Sequence, residues 1–348
     1  MSTIFWNKFF IISIILFFIL TSLFNFIINP YQLFNHKKNS NFLVIKNHIM
    51  SERMQVFYET KYSNANNIIM GSSRIGMLSQ SDISKYLGGF TSSMSIAGSN
   101  IEEQSQYLLY MIQHKHINNI IWGLDFYSFN PDLPNDSDFT YSRLQNYIFL
   151  NSDQQIALLS FQTTKNSFKT LMDNINADTK VKENYKKLLL KNKDNKNRYK
   201  HYLSLTKKEV DNRTTIQLNY YPTKFLRVKT FNNPKSIDKN LKKIKMILDI
   251  CKEKNIKVYV YTSPVSKDFL NLYKKLGLKD TFSYWKNNLQ KITSYTDFCT
   301  YNNITNNKYN FVDGTHIKPN FSSIIFAKLF HDKSLKDYKD FAQYKELR

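Results

Sequence analysis

The sequence predicts an α/β domain, a parallel sheet with helices on its faces, carried behind an N-terminal transmembrane helix. Three observations lead there. Short apolar runs alternate with amphipathic stretches on both sides of residues 130–235, the pattern of a parallel sheet with crossover helices. Residues 9–28 are apolar and carry no charge. Glycine and proline are scarce, 8 and 7 in 348 residues, so each glycine-bearing turn at the end of an apolar run can be read individually.

Residues 9–28 (FFIISIILFFILTSLFNFII) span about 30 Å as a helix, one hydrocarbon core. The stretch runs into Asn29-Pro30 with no small-residue exit, so it reads as an uncleaved anchor, not a signal peptide. Residues 1–8 are then a short tail, and 29–64 a stalk with a helix around 51–62. No later segment is comparably long and apolar, and the remainder is expected to be soluble. Lys8 precedes the span, while Lys37, Lys38 and Lys46 come after it. That bias favours a cytoplasmic body. A short tail ahead of a long span more often exports the rest of the chain, and an exported body is the expectation.

Residues 67–70 read as a buried strand, too short and too β-branched for a helix. A short helix is expected over 79–86, a strand over 90–96, a helix over 101–113 and a strand over 117–124. Right-handed crossovers would bring the strand C-termini to one edge, where open α/β sheets bind ligands. Residues 130–235 break the alternation with Asn- and Lys-rich sequence and helical spacing around 156–175 and 185–190; they read as a helical insertion. The alternation resumes with an amphipathic helix over 236–254, stopped by Asn255, a strand over 256–262 and a helix over 282–292. A strand-like run at 309–312 leads into Asp313-Gly314-Thr315-His316, and Pro319 can open the last helix.

The formal net charge is +22. The lysines are dispersed among asparagines, and no RNP-type, zinc-finger or recognition-helix pattern is present, which argues against nucleic acid. A lysine-rich compositional bias or attraction to anionic lipid and surface polymers accounts for the charge. Cys251 and Cys299 are isolated, so no metal or redox motif is expected; spacing does not say whether they pair.

Two short motifs carry chemistry. Gly71-Ser72-Ser73-Arg74 ends the first strand. It reads either as a turn or as a nucleophile loop. A serine nucleophile needs a histidine base, and that histidine needs a carboxylate to orient it. Of the 7 histidines, His316 alone follows an aspartate, Asp313, by three residues between an apolar run and a helix. The two motifs could meet at the sheet edge.

With Ser95-Ile96-Ala97-Gly98-Ser99 between them, this order resembles the SGNH (GDSL-type) hydrolases. The resemblance covers roughly residues 66–126 and 236–331. It implies a flavodoxin-like three-layer sandwich over residues 65–348, interrupted by the insertion. It also implies Ser73 as nucleophile, His316 as base and Asp313 as orienter. Gly98 and Ser73 would supply oxyanion-binding N–H groups, and no cofactor or metal would be needed. The family's Gly-x-Asn-Asp block is met here by Gly123-Leu124-Asp125-Phe126, with aspartate where the donor asparagine would stand. Asn100 is then a candidate substitute donor. Asp125 could bind a substrate hydroxyl or hold Arg74. Arg74 could hold an anionic substrate group or pair with an acid.

The anchor, the Gly-Ser-Ser variant and the insertion resemble membrane-anchored members of cell-envelope acyl transfer, such as the DltD family and the alginate-acetylation proteins. The implied function is a serine acyltransferase or esterase acting on ester-linked acyl groups, O-acetyl among them, of an envelope glycan. The body would sit outside the cytoplasmic membrane, facing a glycan or an acylated carrier and a membrane-bound O-acyltransferase, with residues 9–28 in lipid. The alternative is a non-catalytic subunit of the same fold that binds a glycan or such a partner.

Overall fold

A computed structural model of the chain describes residues 3–35, 44–46, 49–145, 150–191, 194–333 and 336–348. His36, Lys37, Lys38 and His48 of the expected stalk lie outside the described residues. Along the chain, α1 (Thr3–Ile28) and α2 (Glu52–Tyr62) precede β1 (Asn67–Ser72), α3 (Gln80–Ile83), β2 (Thr91–Ile96), α4 (Ile101–His114) and β3 (Asn119–Leu124). Five helices follow: α5 (Ser152–Leu159), α6 (Phe161–Asn176), α7 (Thr179–Lys191), α8 (Asn195–Arg198) and α9 (Lys207–Lys224). Then come α10 (Asp238–Glu253), β4 (Lys257–Thr262), α11 (Lys267–Lys275), α12 (Lys279–Gln290), β5 (Tyr295–Asp297), α13 (Ser322–Leu329) and β6 (Gln343–Lys345).

The chain divides into two compact units. Met1–Tyr62 and Thr140–Lys191 form one; Ser63–Phe139 and Asn192–Arg348 form the other. The expected insertion is therefore not one piece. Residues 140–191 group with the N-terminal segment, whereas 192–235 belong with the sheet.

In the first unit α1 is 26 residues long, with mean hydropathy 2.7 over its apolar window, long and apolar enough to cross a membrane. Lys46 closes its C-terminal end, donating from Nζ to the carbonyls of Ile28 and of Asn29 (3.0 Å for the latter). A cation there suits the negative end of the helix dipole. The helical spacing around 156–175 is realised as two helices broken at Ser160. A capping box between Asn151 and Gln154 starts α5, and the buried Arg143 grips Asp153 in that first turn with two bonds of 2.6 and 3.0 Å.

The second unit holds a six-stranded sheet in the order β2-β1-β3-β4-β5-β6. All pairings are parallel except the short β5–β6 pair. Side chains alternate across it. Ile69, Ile121 and Tyr261 share one core with Ile83 of α3 and Ile325 and Phe326 of α13. On the opposite face, Trp122 donates from Nε1 to Gln104 of α4 (2.9 Å). Helices thus cover both faces. Asn255, at φ +57°, closes α10 as the spacing predicts.

The strand-like run at 309–312 is not a strand of the sheet. Its start is a 3-10 turn, Lys308–Asn310, and Phe311 makes a single antiparallel bridge to Ile317. Four residues that fold straight back on themselves have no length left to pair elsewhere. Pro319 opens a 3-10 turn that leads into α13. The short α11 and the three-residue β5 and β6 were not anticipated. Cys251 and Cys299 are buried free thiols.

Candidate active site

Because β1, β2, β3 and β4 run parallel, their C-terminal loops share one edge of the sheet. The chain leaves β1 towards β2 on one side, then returns to β3 on the other. This reversal makes the crevice in which doubly wound sheets hold ligands. Ser73 stands at the end of β1 and Asp125 at the end of β3, at that switch point.

Glycine is required at the end of β1 for close packing. A Cβ on Gly71 would lie 2.7 Å from the Gly123 carbonyl oxygen and 2.7 Å from Ile75 Cγ2. A Cβ on Gly123 would meet Ile75 at 2.6 Å. This glycine pair lets the 3-10 turn Ser73–Met77 sink onto the sheet, with Ile75 plugging the gap. Ser72 starts the turn by accepting the Arg74 N–H (3.2 Å). Its hydroxyl also donates to Asp125, and the residue is fully buried. Ser73, the next residue, reaches the surface. Of the two adjacent serines, Ser72 is thus closed off and Ser73 is open to solvent.

Ser73 Oγ lies 2.8 Å from His316 Nε2, although 243 residues separate them. On the far side of the ring, His316 Nδ1 lies 2.8 and 3.0 Å from the two Asp313 oxygens. With Nδ1 donating to the carboxylate, Nε2 is left to accept the Ser73 proton. Asp313 is held in turn by the N–H groups of Thr315 (3.0 Å) and His316 (2.9 Å) and by the Thr315 hydroxyl (2.9 Å). Burial alone would push the Asp313 carboxyl up. The His316 ring and these hydrogen bonds outweigh it and hold the carboxyl well below the usual carboxylate range. A backbone bond from Val312 N–H to the His316 carbonyl (2.8 Å) closes the loop, and the Ser266 N–H ties it to the β4 edge through the Gly314 carbonyl (2.8 Å).

Gly98 lies two residues past Ile96, which pairs with Ser72, and so shares this edge. Its φ of +64° suits glycine, and the Phe225 ring of the α9 C-terminus packs where a Cβ would sit, at 3.0 Å. Ser128 Oγ pins the same loop through the Ser99 carbonyl (2.7 Å).

Asn100 is not placed to serve as a substitute donor. Its side-chain oxygen caps α4 by accepting the Glu103 N–H (2.9 Å), and its amide donates to the Leu133 carbonyl and to Asn135 (3.1 and 3.0 Å). Arg74 and Asp125 are likewise engaged within the protein, in the pairing that is one of the two sequence readings of each. They pair at 3.0 Å, with side chains 3% and 0% exposed. The Arg74 guanidinium lies against the rings of Tyr127 and Tyr221, 5.2 and 5.9 Å from their centroids, and donates to the Tyr221 hydroxyl (3.4 Å). Burial keeps both phenols protonated by pushing their pKa values up. The pair and its tyrosines are a polar floor under the Ser73 turn.

Sequence reading missed Thr315, Tyr127, Tyr221 and Phe225. Thr315 sits between the two motif residues and was open to inspection. Tyr221 and Phe225 belong to α9 and its C-terminal end, whose place beside the β1 loop nothing local announces. No protein-family model matches this chain, and no curated protein matches it significantly. Among the described residues no group of acidic, histidine and cysteine side chains is arranged to hold a metal ion.

Proposed function

We propose that the chain is a membrane-anchored serine acyltransferase or esterase of SGNH-like architecture, acting on ester-linked acyl groups of a cell-envelope glycan. The observation that carries the reading is the Ser73–His316–Asp313 relay, with an accessible serine and a carboxylate held ionised. In this mechanism His316 Nε2 takes the Ser73 proton as Oγ attacks the acyl carbonyl. Asp313 stabilises the imidazolium. The N–H groups of Ser73 and Gly98 receive the oxyanion. The tetrahedral intermediate collapses, the alcohol leaves with the proton from His316, and acyl-Ser73 remains. A second hydroxyl, from water or a sugar, gives its proton to His316 and takes the acyl group, and His316 returns that proton to the departing Ser73 Oγ. The Ser73 N–H is suited to its part because the first donors of a helical turn have no acceptor within it.

The envelope glycan, O-acetyl as the acyl group, an acylated carrier and a membrane-bound O-acyltransferase as partner rest on the family resemblance. So do a cytoplasmic-membrane location and an extracytoplasmic body. Labelling of the purified chain with a serine-reactive fluorophosphonate tests the nucleophile. Labelling is expected in the wild type and in none of the Ser73→Ala protein; signal surviving in Ser73→Ala would refute the assignment.

One observation favours a second reading, a binding subunit with little turnover. Asp125 points at Arg74 and the Asn100 amide is spent elsewhere, so neither side chain replaces the family's donor asparagine. One missing donor costs about 2.7–4 kcal/mol of transition-state stabilisation. Fluorophosphonate labelling without turnover of acetyl esters or acetylated sugars would select this reading.

A further inference from the structure

Helix α6 is built the wrong way round for water. Thr163, Ser167, Thr170 and Asn174 are all but fully buried, at 0–1% exposure. Phe161, Phe168, Met172 and Ile175 are exposed, by 85%, 57%, 48% and 53%. At about 100° per residue the buried polar set and the exposed apolar set each fill an arc of roughly 60°, on opposite sides of the helix. A surface helix of a water-soluble protein shows the reverse arrangement.

Thr163, Ser167 and Asn174 of the buried polar face are hydrogen-bonded, while the Thr170 hydroxyl has no partner among the described residues. Asn25, near the C-terminal end of α1, donates to the Leu158 carbonyl (2.8 Å) and to Thr164 (3.0 Å), and accepts from the Ser167 hydroxyl (2.8 Å). Asn174 exchanges bonds of 2.9 Å with both backbone groups of Ile45. Small hydroxyl and amide residues packed between helices, with apolar side chains turned outward, are what a lipid environment selects. The outward face continues onto α5 through Ile156 and Leu159, each 48% exposed. It adjoins α1, whose residues 4–20 are all exposed.

Depth can be read from the same contacts. Asn25 lies three residues before the end of α1 at Ile28, about 5 Å along the axis at 1.5 Å per residue. That matches the roughly 5–10 Å by which interfacial helices sink into a leaflet. Lys165 and Lys169 are exposed on one flank of the apolar arc, positioned to reach headgroups while their stems lie along lipid.

We propose that α5 and α6 form a helical corner embedded in the leaflet that surrounds the C-terminal end of α1. The chain is thus held by a span and by a second, half-sunken insertion with an affinity for anionic headgroups. This inference rests on reading α1 as membrane-spanning.

Site-directed spin labelling of the full chain in bilayer nanodiscs containing anionic lipid tests it, with Cys251 and Cys299 replaced by alanine. Single cysteines go at Phe161 and Phe168, at Ile15 as the lipid reference and at Lys245 as the aqueous reference. Accessibility to oxygen relative to a water-soluble nickel chelate is read at each. Phe161 and Phe168 are expected to favour oxygen several-fold over Lys245, at a shallower depth than Ile15. Aqueous readings at Phe161 and Phe168 with Ile15 in lipid would overturn the inference and leave the anchor intact. Shielding of both sites from both reagents would overturn it in favour of a protein partner or second copy. An aqueous reading at Ile15 would remove the anchor itself, and the inference with it.

Discussion

At the residue scale, Asp313 and the Arg74–Asp125 pair do different work. Asp313 fixes the ring of His316, so Asp313→Asn is expected to leave the fold in place and to lower turnover by about 10⁴-fold, by favouring the wrong tautomer; steady-state ester hydrolysis checks this. Its carboxyl also contributes to stability. The folded pKa lies below the unfolded one, near 3.9, so the contribution is fully present above about pH 4 and is lost as pH falls below it. Urea midpoints measured between about pH 3 and 7 should fall on acidification more steeply for the wild type than for Asp313→Asn. Asp125 acts inside the protein. Asp125→Ala strands a buried guanidinium and is expected to cost about 3–5 kcal/mol, while Arg74→Met with Asp125→Leu recovers most of it. Equal losses in the single and double variants, by thermal or urea unfolding, would contradict the floor assigned to this pair.

At the scale of elements, the β1 loop depends on the missing side chains of Gly71 and Gly123. Gly71→Ala sets a methyl against a backbone carbonyl that cannot rotate away. A loss of about 1–3 kcal/mol is expected, together with a fall in fluorophosphonate labelling as the Ser73 turn is lifted. Unchanged labelling would show that the turn is not seated by this contact. Much at this scale was legible in advance. The strands at 67–70, 90–96, 117–124 and 256–262 and the helices at 101–113 and 236–254 each fall within two residues of an observed boundary, because period-two and helical spacing are local signals. The run at 309–312 misled because a four-residue apolar stretch does not reveal whether it pairs with a sheet or with its own return. Ser73, Asp313 and His316 were readable from motif order. Tyr221, Phe225 and the bonds of the Asn100 amide to Leu133 and Asn135 were not, since they depend on contacts across distant parts of the chain.

At the scale of the molecule, the sheet and the Ser73–His316–Asp313 relay lie wholly within one unit. A shortened chain that lacks residues 1–62 and carries a flexible Gly/Ser linker in place of 140–191 is expected to remain in solution without detergent. It should label at Ser73 as the full chain does, and size-exclusion chromatography with labelling checks both. The sequence by itself determined the alternation of strands and helices and the apolar span at residues 9–28, and it offered the meeting of an early serine with a late Asp-x-x-His as one reading. All of these come from spacing within a few turns of chain or from motif order. Only the tertiary structure decided that Ser72 is buried and Ser73 accessible, that Asp125 faces Arg74, and that α6 turns its polar side inward. Each is a choice of which face meets which neighbour. A local pattern of polarity is the same whichever way the helix is turned, and only the partner it packs against tells the two apart.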